Sequence, residues 1–134
     1  MAVILVADDD PLIRTMMQKL LTRVGHTVLQ AATGLEAERV VADQTVDVLI
    51  TDIIMPDKEG LTLVRDLHKK LPHLKIIAMS GGGRSGAFTV LDAAAQFGAD
   101  AVLRKPFRAT ELIQAVAGAL GQPGVMAPAA TNSP

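Results

Sequence analysis

With 134 residues, a formal net charge of −1, 49% hydrophobic and 20% charged residues, the chain suits one domain with a proper core. The near-neutral balance and the lack of any basic run argue against direct nucleic-acid binding, and the absence of cysteine excludes a disulfide framework or a thiolate metal site. The first apolar run, residues 2–7, is too short to cross a bilayer and meets acids at once, so neither a signal peptide nor a membrane span is expected, and a cytoplasmic location is.

"AVILVA" is β-branched-rich and does not alternate, as expected of a strand buried on both faces. The acids Asp8, Asp9 and Asp10 follow it directly. "PLIRTMMQKLLTRVG" then places Leu12, Ile13, Met16, Met17, Leu20, Leu21 and Val24 at helical spacing. Asp10 before Pro11 is read as the cap of this helix and Gly25 as its stop. "HTVLQAA" is a strand, "GLEAERVVADQ" a helix, and "VDVLIT" a buried strand that delivers Asp52. "LTLVRDLHKKL" is a helix stopped by Pro72, "LKIIAMS" a strand ending at Ser80, and "AFTVLDAAAQFG" a helix closed by Gly98. "AVLRK" is a fifth strand ending at Lys105, and "ATELIQAVAGAL" is the last helix. Five strands alternating with five helices predict a parallel sheet covered on both faces. The tail "GQPGVMAPAATNSP" has no periodicity and is expected to be disordered, leaving residues 1–120 as the domain and 121–134 as a tail.

Ligands of open α/β sheets bind outside the carboxyl ends of the strands, near the switch in strand order. Asp8, Asp9, Asp52, Ser80 and Lys105 all stand at such ends and can converge although far apart in sequence. Three carboxylates and one ammonium leave room for a divalent cation, and hard oxygen donors suit Mg²⁺. A carboxylate beside Mg²⁺ and an ammonium can act as a nucleophile towards a phosphoryl group.

The motifs "LVADDD", "VLITDIIMPDKEG", "IIAMSG" and "LRKPF", in this order and at suitable distances, resemble those of a response-regulator receiver domain, the phosphoacceptor half of two-component signalling. The resemblance runs from Ala2 to about Leu120. It implies a flavodoxin-like three-layer α/β sandwich with strand order 2-1-3-4-5. It makes Asp52 the phosphorylated residue, Asp9 a direct Mg²⁺ ligand, Asp8 a ligand acting mainly through water, and the backbone carbonyl of Ile54 a further ligand. Ser80 becomes the switch hydroxyl and Lys105 the phosphate-contacting amine, with the backbone amides of Ile54 and Gly81 on phosphoryl oxygens. A cis peptide between Lys105 and Pro106 is also implied. The family's phosphoryl donor is a histidine kinase or phosphotransfer protein. One position departs from the pattern: Val102 stands where an aromatic residue often lies.

Other readings remain open for individual residues. Asp10 is a helix cap rather than a ligand; Ser80 and Lys105, each taken alone, would be a turn residue and a surface lysine. Met16, Met17 and Phe107 are expected in the core, and His26, His68 and His73 at the surface. Gly81, Gly83 and Gly86 match the glycine spacing of a dinucleotide loop, with Asp100 about 20 residues beyond, but that fingerprint belongs to the first βα turn. A phosphatase with an aspartyl-phosphate intermediate would share the nucleophile, yet Ile54 stands two residues after Asp52 where an acid is expected. A receiver-like interaction module without phosphate turnover is the third possibility. The expected function is a stand-alone, non-enzymatic Mg²⁺-dependent switch, phosphorylated at Asp52, whose output passes to a protein partner through the fourth helix, fifth strand and fifth helix.

Overall fold

Side chains of an extended strand alternate between the two sheet faces, so a strand that is apolar at every position has to be covered on both. That is how the chain folds. In the computed structural model, which describes residues 1–55, 60–81 and 94–121, the strands β1 (Val3–Ala7), β2 (Thr27–Ala31), β3 (Val48–Asp52), β4 (Lys75–Ser80) and β5 (Ala101–Arg104) form one sheet of order β2-β1-β3-β4-β5. Every neighbouring pair is parallel, with registers such as Leu5↔Leu49 and Ile50↔Ile77. The helices are α1 (Pro11–Arg23), α2 (Gly34–Asp43), α3 (Gly60–Lys70), α4, described at residues 94–96, and α5 (Ala109–Ala119). The expected flavodoxin-like topology is therefore present. The rest of the helix expected over residues 87–98, and the tail beyond Gly121, lie outside the described residues.

The two cores follow the alternation. Leu5, Ala7, Leu49 and Ile76 meet Ala37, Val41, Leu63, Val64 and Leu67 of α2 and α3 on one face. Ile4, Val6, Val48, Ile50, Ile77 and Met79 meet Met17, Leu21, Leu112 and Val116 of α1 and α5 on the other. A helix lying on a sheet buries only one stripe, and α1 has more apolar residues than that stripe holds. Met17 and Leu21 are fully buried, whereas Leu12 is 78% and Met16 42% exposed, so Met16 is not the core residue its spacing suggests. Phe107 packs half-buried against the second core, as expected.

Local chemistry sets the ends of the elements. The Asp10 carboxylate accepts from the Leu12 amide at 2.9 Å, with Pro11 in the first helical position. At the other end of α1, Gly25 has φ +98° and His26 N donates to the Leu21 carbonyl at 3.1 Å. Free strand amides on the amino-terminal edge are met by acids: Asp47 accepts from Val3 N at 2.8 Å, and Asp100 from Ile76 N at 2.9 Å.

His26 is half-buried rather than a plain surface residue. Its Nδ1 accepts a hydrogen bond from the Ala2 amide at 3.1 Å, which requires that nitrogen to be unprotonated. Burial, and next the positive N-terminus, lower its pKa. The unfolded chain therefore takes up this proton at higher pH than the fold does, and stability falls as pH drops below the ordinary histidine value. His26→Asn keeps an acceptor without the titration. The Tm advantage of the native protein over that variant is expected to shrink between pH 7.5 and pH 5.5 in parallel melting curves.

Candidate functional site

The sheet begins in its interior with β1, runs outward to β2 and then turns back to β3, which places the switch in strand order between β1 and β3. Open α/β sheets take their ligands at such a point, outside the carboxyl ends of the strands. Asp8 follows β1, Asp52 ends β3, Ser80 ends β4 and Lys105 follows β5. Of these, Asp8, Asp52 and Lys105 meet through their side chains.

Lys105 stands at the centre. Its Nζ donates to Asp8 Oδ2 at 2.6 Å and to Asp52 Oδ2 at 2.8 Å. The second oxygen of each carboxylate is taken by a nearby backbone amide: Asp10 N donates to Asp8 Oδ1 at 2.9 Å and Ile54 N to Asp52 Oδ1 at 3.0 Å. Both acids are thus held at two points and cannot swing away from one another. Their side chains are only 1% and 11% exposed, so this is a buried ionic group in which the lysine offsets the repulsion of two like charges.

Burial pushes the Asp52 pKa up, and the hydrogen bonds from Lys105 and Ile54 oppose that rise without cancelling it. For Lys105, burial pulls downward, but the hydrogen bonds to Asp52 and Asp8 outweigh it and the pKa rises. The ammonium stays charged.

Asp9 lies beside this pair and is exposed. Asp8, Asp9 and Asp52 each offer one carboxylate oxygen within 4.8 Å of the others. An all-oxygen set of three acids on one open side fits a hard divalent cation such as Mg²⁺. Ser80 is buried, and its carbonyl accepts from Lys105 N at 2.8 Å, so β4 and β5 remain paired up to the site. Gly81 faces the lysine: a Cβ there would stand 3.3 Å from Lys105 Cδ. The Lys105–Pro106 peptide is cis, as the resemblance implied. The Ile54 side chain is 67% exposed and supplies no acid two residues after Asp52. Val102 is 43% exposed on the edge strand β5.

Asp100 lies on the opposite edge of the sheet, where its carboxylate caps the start of β4. There it is remote from Gly81 and does not supply the acid of a dinucleotide loop. Gly83 and Gly86 lie outside the described residues. His68 and His73 are exposed, as expected, and far in sequence from the acids.

Two contributors escaped the sequence reading. Arg14 reaches from α1 to the Asp8 carbonyl at 2.6 Å, a contact to backbone that leaves no pattern in the sequence. Gly60 opens α3 against the end of β3, with its amide on the Ile53 carbonyl at 2.8 Å. A Cβ on Gly60 would lie 2.4 Å from Ile53 Cα and 2.6 Å from the Asp52 carbonyl oxygen. Only glycine permits so close an approach of two backbones. The signal available was a lone glycine at a helix start, which has many other causes.

The family model described as response regulator receiver domain matches residues 4–117. The DNA-binding transcriptional regulator NtrC of Azospirillum brasilense is 43% identical over 119 residues, which is 89% of this chain and 24% of that protein. The chain spans about a quarter of the length of the curated NtrC relatives it matches. Among solved structures, a response regulator receiver domain protein from Clostridium thermocellum superposes with a TM-score of 0.84 at 32% identity, covering 95% of this chain and 100% of that one. The response regulator TrrA of Thermotoga maritima, solved in complex with Mg²⁺ and BeF, gives a TM-score of 0.79 at 30% identity over 89% of this chain and 99% of that one.

Two outcomes follow from this packing. Gly60→Ala must push the α3 start away from β3 and is expected to cost about 1–3 kcal/mol, the usual range for overpacking, measured by chemical denaturation. Asp52→Asn removes one of two buried like charges while Asp8 still pairs with Lys105. In metal-free protein at neutral pH it should raise Tm by a few degrees, corresponding to roughly 1 kcal/mol.

Proposed function

This chain belongs to the response regulator receiver domain family, and we propose that it works as a Mg²⁺-dependent phosphorylation switch in which Asp52 accepts the phosphoryl group. The observation that carries this reading is the meeting of Asp8 and Asp52 on the Lys105 ammonium, with the Asp9 carboxylate beside them, at the carboxyl edge of the sheet.

The donor would be a phosphohistidine of a histidine kinase or phosphotransfer protein. An Asp52 carboxylate oxygen forms the new bond to phosphorus as the phosphorus–nitrogen bond of the donor breaks, and the electron pair leaves with the imidazole. Lys105, already hydrogen-bonded to Asp52, meets the negative charge that collects on the phosphoryl oxygens. In this reading the Ser80 hydroxyl and the backbone amides of Ile54 and Gly81 donate to the same oxygens. Asp8, Asp9, Asp52 and the Ile54 carbonyl would hold Mg²⁺, which when bound neutralises charge on the carboxylates and the phosphoryl group.

Phosphorylation alters a carboxylate that Lys105 grips, and Lys105 is joined through its own amide to Ser80. The change therefore enters the β4–β5 edge directly. With Val102 in place of an aromatic residue, it is passed on by shifts after Ser80 rather than by a ring turning inward. The surface formed by α4, β5 and α5 then offers the signal to a downstream protein. Residues 1–120 form the switch and 121–134 the tail, and the unit operates in the cytoplasm. No helix among the described residues is long and apolar enough to cross a membrane. The curated relatives are about four times longer, so the reading concerns the receiver unit.

The test is intact-mass spectrometry after incubation with acetyl phosphate, with and without Mg²⁺. One phosphoryl group is expected on the native protein only with Mg²⁺, and none on Asp52→Asn. Phosphorylation retained by that variant would assign the acceptor elsewhere.

A further inference from the structure

We propose that Arg14 is a positioning residue for the divalent-cation site, acting on Asp9 through the peptide that joins Asp8 to Asp9. The inference rests on the reading of Asp9 as a metal ligand.

Arg14 stands in the fourth helical position of α1. A cation so close to a helix N-terminus meets the unfavourable end of the helix dipole, so its place calls for a compensating partner. Long helical side chains lean back towards the N-terminus, and Arg14 does so, with Nη1 donating to the Asp8 carbonyl at 2.6 Å. Its Nε donates to Gln30 Oε1 on β2 at 3.0 Å, and Gln30 Nε2 in turn donates to Gln18 Oε1 on α1 at 2.5 Å. The guanidinium is therefore held at Nε by a glutamine that is itself anchored on α1.

The Asp8 carbonyl and the Asp9 Cα belong to one planar peptide unit. Fixing the first fixes the second. The other side of Asp8 is pinned by its own amide on the Ala31 carbonyl at 3.1 Å. The Asp9 carboxylate is exposed and makes no hydrogen bond or ion pair among the described residues, where the contacts that bear on its direction are those of its backbone. Loss of Arg14 leaves the Asp10 cap and the Asp8–Asp10 contact in place. What it frees is the Asp8–Asp9 peptide.

Charge and positioning predict opposite signs. Removing a cation beside three carboxylates strengthens the attraction for Mg²⁺. Removing the support of a ligand weakens binding, by about tenfold for contacts just outside a metal's own ligands. The sign separates the two.

Mg²⁺ would be titrated calorimetrically into the native protein, Arg14→Ala, Arg14→Lys, Gln30→Leu and Asp9→Asn, with metal-free melting curves for each. Arg14→Ala is expected to bind Mg²⁺ about tenfold more weakly at near-native Tm, with Arg14→Lys and Gln30→Leu weakened less. A folded Arg14→Ala protein that binds as tightly as native, or more tightly, overturns the inference while leaving the Asp9 reading intact, provided Asp9→Asn loses binding. Should Arg14→Ala fail to fold, native affinity in both Arg14→Lys and Gln30→Leu overturns it equally. A native protein that binds no Mg²⁺ at millimolar concentration, or an Asp9→Asn protein that binds normally, overturns both the reading and the inference.

Discussion

The Lys105 ammonium, set between Asp8 and Asp52, is the contact on which this end of the molecule depends. Two carboxylates brought close together out of water repel one another and lose hydration, and neither loss is recovered without a cation between them. The lysine comes from β5, at the edge of the sheet, and its partners come from β1 and β3 near the middle. Closing the site therefore requires the sheet to be complete. No pair of neighbouring elements carries both the acids and their counter-charge.

Backbone does much of the remaining work. Each of the two buried acids gives one oxygen to the lysine and the other to an amide two residues further along the chain. The acids are oriented by the same turns that end the strands, so little reorganisation is needed when charge changes in the crevice. Gly60 extends this economy of space: α3 begins in contact with the backbone of Ile53 and Asp52, which ties the helix start to the site. Ile53, next to Asp52, is thus hydrogen-bonded to the start of α3, and Lys105 to β4 through Ser80.

The site was legible to the extent that its residues interrupt apolar runs. Asp8, Asp52 and Ser80 each stand where a buried strand stops and Lys105 where the edge strand does, and a parallel sheet brings such ends to one edge whatever the details of packing. Arg14 was not legible because its partner is a carbonyl group, which every residue possesses. The phase of α1 was legible only in part. Its apolar residues outnumber the positions that one sheet face can cover, so the spacing alone could not say that Met17 is buried and Met16 exposed. His26 reads as a surface histidine until the start of the chain folds alongside β2 and delivers the Ala2 amide to it. Asp100 shows the limit of spacing, since its distance in sequence from the glycines suits a dinucleotide loop while its carboxylate lies on the far edge of the sheet.

The sequence by itself determined the order and type of the elements, because unalternating runs require cover on both faces and the helices between them can supply it. It also determined which side chains could carry charge at the carboxyl edge. Only the tertiary structure decided how those charges are arranged. The bridging of Asp8 and Asp52 by Lys105, the fixing of the Asp8 carbonyl by Arg14 and the contact of Gly60 with Ile53 are distances between segments remote along the chain. Such distances follow from how sheet and helices close on one another, and local pattern carries no measure of them.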